Sequence, residues 1–205
     1  SSLGNFYGGV TEAIGFRYGD GEGKTEALAA FGKETKAYEI LKEFLKVDGL
    51  KIKGKLHPHY RNISILFKEL LKDFKNEDSS YAVQRVLDET VTKLVKNAIK
   101  ETGINKVAFA GGIFYNVKTN QQIYEIPEVK DLYIYPASGD SGVSIGAALL
   151  DIHLHNGVSN KRTEQVYYGA SYSNEQIKSI LSKTEFTYEY IDDIGAHVGS
   201  EILSK

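Results

Sequence analysis

Apolar residues recur at intervals of three and four along much of the chain, the spacing of helices that bury one face. Over residues 5–16, Phe6, Val10, Ala13 and Ile14 share one such face, ahead of a glycine-rich break. Ser2 and Gly4 stand where a helix start uses small residues and leaves backbone N–H groups free. Residues 18–24 are glycine-rich and read as a loop. Short helices are expected over 25–31, stopped by Gly32, and over 37–47. Residues 49–62 alternate apolar and basic positions up to Pro58, which predicts a short exposed strand or hairpin. A helix follows over 64–74. The clearest periodicity runs over 80–102, where Val83, Val86, Leu87, Val91, Leu94, Val95 and Ala98 keep one face apolar. Ser79 or Ser80 can cap that helix and Gly103 can end it.

The pattern then changes. Residues 106–110 form a continuous apolar run closing on Gly111 and Gly112, the profile of a buried parallel strand. Residues 116–125 read as a helix, 131–135 as a second strand ended by Pro136, and 142–155 as an apolar helix rich in small residues. Strand–glycine turn–helix, given twice, is one βαβα unit, with sites expected at the C-terminal ends of parallel strands. A polar linker over 156–163 leads to a helix capped by Ser173, a strand-like run over 185–191 and a last helix, read as the start of a second α+β subdomain.

Composition narrows the function. With 205 residues, 41% hydrophobic and 25% charged, the chain is globular. A net charge of −2 gives no general basic field for nucleic acid or an anionic membrane. Cysteine is absent, which excludes disulfides, thiolate nucleophiles and cysteine-ligated metals. No apolar run reaches the length of a membrane span, so a cytoplasmic location is expected. Methionine is absent too, and the chain is read as a piece of something longer.

Four places can carry chemistry. Gly111 and Gly112 let a ligand press on bare backbone, beside a helix start that favours anions; the alternative is a purely structural turn. Asp140, in a glycine-flanked turn, can hold a metal or position a phosphate through one, or simply cap the following helix. Lys24 sits in a glycine-rich run without P-loop spacing, and a solvated loop is the better reading there. His57 with His59, and His153 with His155, are two apart around a proline turn or on a helix, which disfavours metal ligation, and His197 stands alone. No nucleophile elbow is present.

Taken in order, the runs 2–16 (SLGNFYGGVTEAIGF), 22–32 (EGKTEALAAFG), 110–116 (AGGIFYN) and 136–148 (PASGDSGVSIGAA) resemble the O-carbamoyltransferases of nodulation-factor and antibiotic tailoring. That family is related to the hydrogenase-maturation and tRNA threonylcarbamoyl transferases. The resemblance implies an actin-like, sugar-kinase-like ATPase fold. Residues 1–158 would be part of its second lobe, and 159–205 the linker and the beginning of a C-terminal domain. It implies that carbamoyl phosphate and ATP yield a carbamoyl-adenylate, whose carbamoyl group passes to a hydroxyl acceptor. Ser2, Gly4, Lys24, Gly111, Gly112, Asn116 and Gly139 match nucleotide-binding positions. Asp140 matches the aspartate that ligates a divalent metal of iron or magnesium type, and Glu22 belongs to the same motif as Lys24. The metal's histidine pair lies in a first lobe not contained in this chain, so the chain alone is expected to be inactive. Small-molecule partners are implied, with no nucleic acid and no membrane, and a homodimer is left open. Glu26 departs from the family, standing where an apolar methionine is usual, and Val117 stands where a small residue or cysteine is. A sugar- or acetate-kinase relative on the same fold, or a non-catalytic interaction module, are the alternatives; nucleotide binding and carbamoyl-phosphate-dependent AMP formation discriminate between them.

Overall fold

A computed structural model describes residues 2–55, 60–157 and 166–204, Tyr60 by its backbone alone. The chain divides into two units, Ser1–Arg162 and Thr163–Lys205. The domain boundary expected at residue 158, most of the 156–163 linker, and His57 and His59 lie outside the described residues.

In the first unit, helix α1 (Leu3–Ala13) buries Phe6 and Val10 against α4 (Tyr60–Leu71) and α5 (Asn76–Thr102). The contact between α1 and α4 is close because Gly9 faces Ile63. A Cβ on Gly9 would come within 2.5 Å of Ile63 Cγ2, so only glycine admits this approach. Phe67 fills the space between, edge-on to Phe6 at 5.6 Å and to Phe44 at 5.1 Å. Leu41, from α3 (Lys36–Lys42), and Leu87 belong to the same fully buried core. At its C-terminal end α5 stops at Gly103, whose φ of +70° provides the left-handed cap.

Beyond α5 the chain makes strand β3 (Lys106–Phe109), a 3-10 turn over Gly112–Tyr115, helix α6 (Val117–Tyr124), strand β4 (Asp131–Ile134), a 3-10 turn over Asp140–Gly142 and helix α7 (Val143–Asn156). Strands β3 and β4 pair in parallel, with Lys106 opposite Asp131 and Phe109 opposite Ile134. The βαβα unit read from the sequence is therefore present, and the chain is α/β, mostly helical with small sheets.

Several expected boundaries differ. Helix α2 spans Glu22–Ala29, so residues 22–24 are helical rather than loop. Glu22 in its first turn favours that start by complementing the helix dipole. Helix α3 stops at Lys42, and Leu45–Asp48 is strand β1, paired antiparallel with β2 (Lys51–Gly54). Leu45 and Val47 alternate inward with Lys46 and Asp48 outward, a strand's period of two that the longer helix reading overrode. Helices α4 and α5 each begin four residues before the expected start. Ser79 and Ser80 are accordingly buried inside α5 rather than capping it, and Asn76 anchors the real start by donating to the Ile14 carbonyl. Strand β3 is only half-buried, with Lys106 and Ala108 exposed on one face, and among the described residues β4 is the one strand it pairs with. Helix α7 leaves Val143, Ile145, Leu149, Leu150, Ile152 and Leu154 exposed.

In the second unit, helix α8 (Asn174–Leu181) opens on a full capping box between Ser173 and Gln176, and α9 (Ile194–Leu203) is capped by Asp193. The run 185–191 is not a strand: among the described residues it pairs with no other strand, and Phe186, Tyr188 and Tyr190 are exposed. No helix among the described residues is long and apolar enough to cross a membrane.

Candidate functional site

A cavity of about 940 Å³ gathers the first turn of α1, the 18–20 turn with the start of α2, and the two turns that follow β3 and β4. Ser2, Gly4, Gly111, Gly112, Asn116, Gly139 and Asp140 all line it, as does Glu22. Lys24 does not. Its helical position turns it away, and its ammonium lies 6.0 Å from the centre of the Phe16 ring.

Each wall has a local cause. Ser2 has extended backbone and its Oγ accepts the Asn5 N–H at 3.2 Å, so the first-turn N–H groups of Leu3 and Gly4 have no intrahelical acceptor. At Gly111, φ is +115°, a conformation that side-chain-bearing residues rarely adopt. No atom lies within 4 Å of where a Cβ of Gly111 or Gly112 would point, so bare backbone faces open space. The Gly111 N–H donates to the Ser138 carbonyl at 2.6 Å, joining the turn after β3 to the turn after β4. Gly139 receives the Tyr115 ring, and a Cβ there would come within 2.8 Å of it. Asp140 opens its 3-10 turn without capping it: Gly139 holds the cap position, and no side-chain capping bond is made.

Asn116 is spoken for. Its Oδ1 caps α6 by accepting the Thr119 N–H at 2.8 Å, and its Nδ2 donates to Gln84 Oε1 at 2.8 Å. Gln84 also accepts the Tyr7 hydroxyl at 2.8 Å and donates to Asp88 at 2.9 Å. Thr119 Oγ1 donates to the same Asp88 oxygen at 2.6 Å. This buried network fixes the glycine turn to α1 and α5. It was missed in the sequence, where its signal is faint: Ser80, Gln84 and Asp88 are polar at successive helical intervals beside an apolar stripe. The unusual Glu26 is likewise satisfied. Its Oε1 accepts the Lys118 N–H at 2.9 Å, completing the start of α6.

Electrostatically the cavity is one-sided. Asp20, Glu22, Glu26 and Asp140 line it, and no lysine, arginine or histidine does among the described residues. No group of three or more His, Cys, Asp or Glu among the described residues is arranged to hold a metal, so Asp140 stands as a single carboxylate. His153 and His155 lie on the last turns of α7.

Burial pushes the Asp88 carboxyl up from its ordinary range, against the hydrogen bonds of Thr119 and Gln84. The folded state therefore holds the Asp88 proton more tightly than the unfolded chain does. That contribution to stability is full below the unfolded carboxyl pKa and is lost as pH rises through the folded one. Asp88→Asn keeps an acceptor for both donors and removes the charge. It is expected to raise the urea midpoint at pH 7 and to flatten the stability–pH profile on the acid side; a lower midpoint at pH 7 would contradict this.

Comparison with known proteins gives a consistent picture. The family model described as the carbamoyltransferase N-terminus matches residues 1–149. An uncharacterized protein of Methanocaldococcus jannaschii is 35% identical across all of this chain and 35% of its own length. Nodulation protein NolO of Bradyrhizobium diazoefficiens is 28% identical over 86% of this chain and 33% of its own length. Nodulation protein NolNO of Sinorhizobium fredii is 25% identical over 85% of this chain and 26% of its own length. The chain thus spans about a third of the length of the curated relatives it matches.

Proposed function

The chain belongs to the carbamoyltransferase family through its match to the N-terminal domain over residues 1–149, and from that premise we propose that it supplies the nucleotide-binding wall of an ATP-dependent O-carbamoyltransferase. In this reading carbamoyl phosphate is hydrolysed to carbamate and phosphate, the carbamate displaces pyrophosphate from ATP to give a carbamoyl-adenylate, and the carbamoyl group passes to a hydroxyl of a small-molecule acceptor with release of AMP. Residues 1–158 form part of the second lobe of an actin-like ATPase domain, and 159–205 lead into a C-terminal domain.

One observation carries the reading: the α1 N-terminus, the bare Gly111–Gly112 backbone and the Gly139–Asp140 turn, far apart in sequence, border one cavity. Free N–H groups at Leu3 and Gly4 suit phosphoryl oxygens. The open backbone at Gly111 and Gly112 lets a nucleotide lie flush against the turn, and Asn116 holds that turn in place through Gln84. Asp140, exposed and free of capping duty, fits one oxygen ligand of a divalent ion. Such an ion supplies charge neutralisation and Lewis acidity at the phosphates. Ser2 Oγ caps α1 rather than meeting a general base, and among the described residues no cysteine, lysine or histidine lines the cavity, in keeping with transfer from an activated acyl group rather than through a covalent enzyme intermediate.

The test follows from the charge. Among the described residues four carboxylates and no cationic side chain line the cavity, so a free nucleotide polyanion is repelled and only its metal complex should enter. Calorimetric titration with a non-hydrolysable ATP analogue and Mg²⁺ is expected to show binding, and a chelator should weaken it by about a hundredfold or more. Equal affinity with and without the divalent ion would overturn the role given to Asp140. Absence of any nucleotide binding would overturn the reading itself.

A further inference from the structure

A polyanion held in this cavity needs hydrogen-bond donors, and the side-chain donors of its lining are mostly committed to the fold. Tyr7 gives its hydroxyl proton to Gln84 and Tyr18 gives its own to Asn5 at 2.7 Å. Asn116 Nδ2 donates to Gln84. Tyr115 differs. It closes the 3-10 turn after β3, its side chain is half-exposed, and its ring lies on the bare Gly139 backbone beside Asp140. Its hydroxyl oxygen meets the exposed Ser141 Oγ, at 3.2 Å, and the Gly139 backbone, partners at the cavity edge that water replaces at little cost.

We propose that Tyr115 is a ligand-contacting residue of this cavity, its hydroxyl donating to a phosphoryl oxygen of the nucleotide at the Gly139–Asp140 turn. The inference rests on the nucleotide-site reading above and adds to it a neutral donor where no basic side chain lines the cavity among the described residues. The glycine at 139 has a purpose on this view: it lets the ring lie flat, so that the hydroxyl reaches the edge of the turn. The competing role is a clamp between the two turns through Ser141. That clamp is already duplicated by the bond from the Gly111 N–H to the Ser138 carbonyl.

Two variants separate these roles by calorimetric titration of the full chain with the Mg²⁺ complex of a non-hydrolysable ATP analogue, with adenosine as the control ligand. Tyr115→Phe keeps the ring on Gly139 and loses only the hydroxyl; it is expected to weaken the nucleotide roughly tenfold or more and to leave adenosine unchanged. Ser141→Ala removes the clamp and frees the phenol, so nucleotide affinity should stay within about twofold of the parent chain. Equal losses in both variants would assign a clamp and overturn the contact. So would an undiminished Tyr115→Phe variant, or a loss shared by adenosine. If the parent chain binds adenosine but not the nucleotide complex, the phosphoryl contact falls; if it binds neither, the nucleotide-site reading falls and takes the contact with it.

Discussion

Asp140→Asn is expected to reduce carbamoyl-phosphate-dependent AMP formation on the order of a thousandfold in an enzyme that carries this sequence at the length of its relatives. The melting temperature should stay unchanged. The size follows from the chemistry: an ion that loses a formally charged ligand gives up several kcal/mol of charge stabilisation at the phosphates, and each 1.4 kcal/mol or so is tenfold in rate. The constancy of the fold follows from position, since Asp140 is exposed and makes no side-chain capping bond. Had the carboxylate been a helix cap, asparagine would serve nearly as well and the change would be almost silent. Near-normal turnover with unaltered metal content would remove Asp140 from the site. The 205-residue chain on its own is expected to give no turnover, whatever residue stands at 140.

What the sequence made legible is what local chemistry decides. A strand that ends in two glycines and a strand that ends in Gly139–Asp140 announce their turns within a few residues. Parallel pairing of such strands brings their C-terminal ends to one edge. The cavity residues Gly111, Gly112, Gly139 and Asp140 could be read in that way. Ser2 and Gly4 came from the family motif and from helix-start chemistry, and α1 does carry them to the same cavity.

What the sequence hid is what distant contacts decide. Lys24 looked like a loop residue because glycines flank it, yet the bond from the Gly19 N–H to Glu22 Oε1 helps the helix begin at Glu22 and turns Lys24 aside. The short exposed strand expected within 49–62 is present as β2, whereas its partner β1 was concealed by a stretch equally compatible with the end of α3. Ser79 and Ser80 looked like caps because nothing nearby reveals that Asp78 accepts the Lys33 N–H and Asn76 reaches Ile14. The apolar character of β3 and α7 was plain, but their exposure was not. Burial depends on what packs against an element, and among the described residues β3 has one neighbouring strand and α7 leaves six large apolar side chains uncovered.

Gln84→Leu is the substitution expected to cost the fold most for the fewest atoms changed, at about 2–5 kcal/mol by urea denaturation. Gln84 is 6% exposed and Tyr7 is 2% exposed. Leucine fills a similar volume but strands the Tyr7 hydroxyl and the Asn116 amide without their common acceptor, and leaves Asp88 with Thr119 alone. An unsatisfied buried polar group costs about 1–3 kcal/mol, whereas removing both partners together can be nearly neutral. The double variant Gln84→Leu with Tyr7→Phe is therefore expected to be more stable than the sum of the single losses implies, by about 1 kcal/mol or more. The same cycle reads the site. Because Asn116 holds the turn after β3 through Gln84, nucleotide affinity should fall in Gln84→Leu and should not return with Tyr7→Phe, which repairs the core and leaves Asn116 Nδ2 without its acceptor. Strict additivity of the two losses, or recovery of affinity together with stability, would dissolve the link drawn between the buried network and the glycine turn.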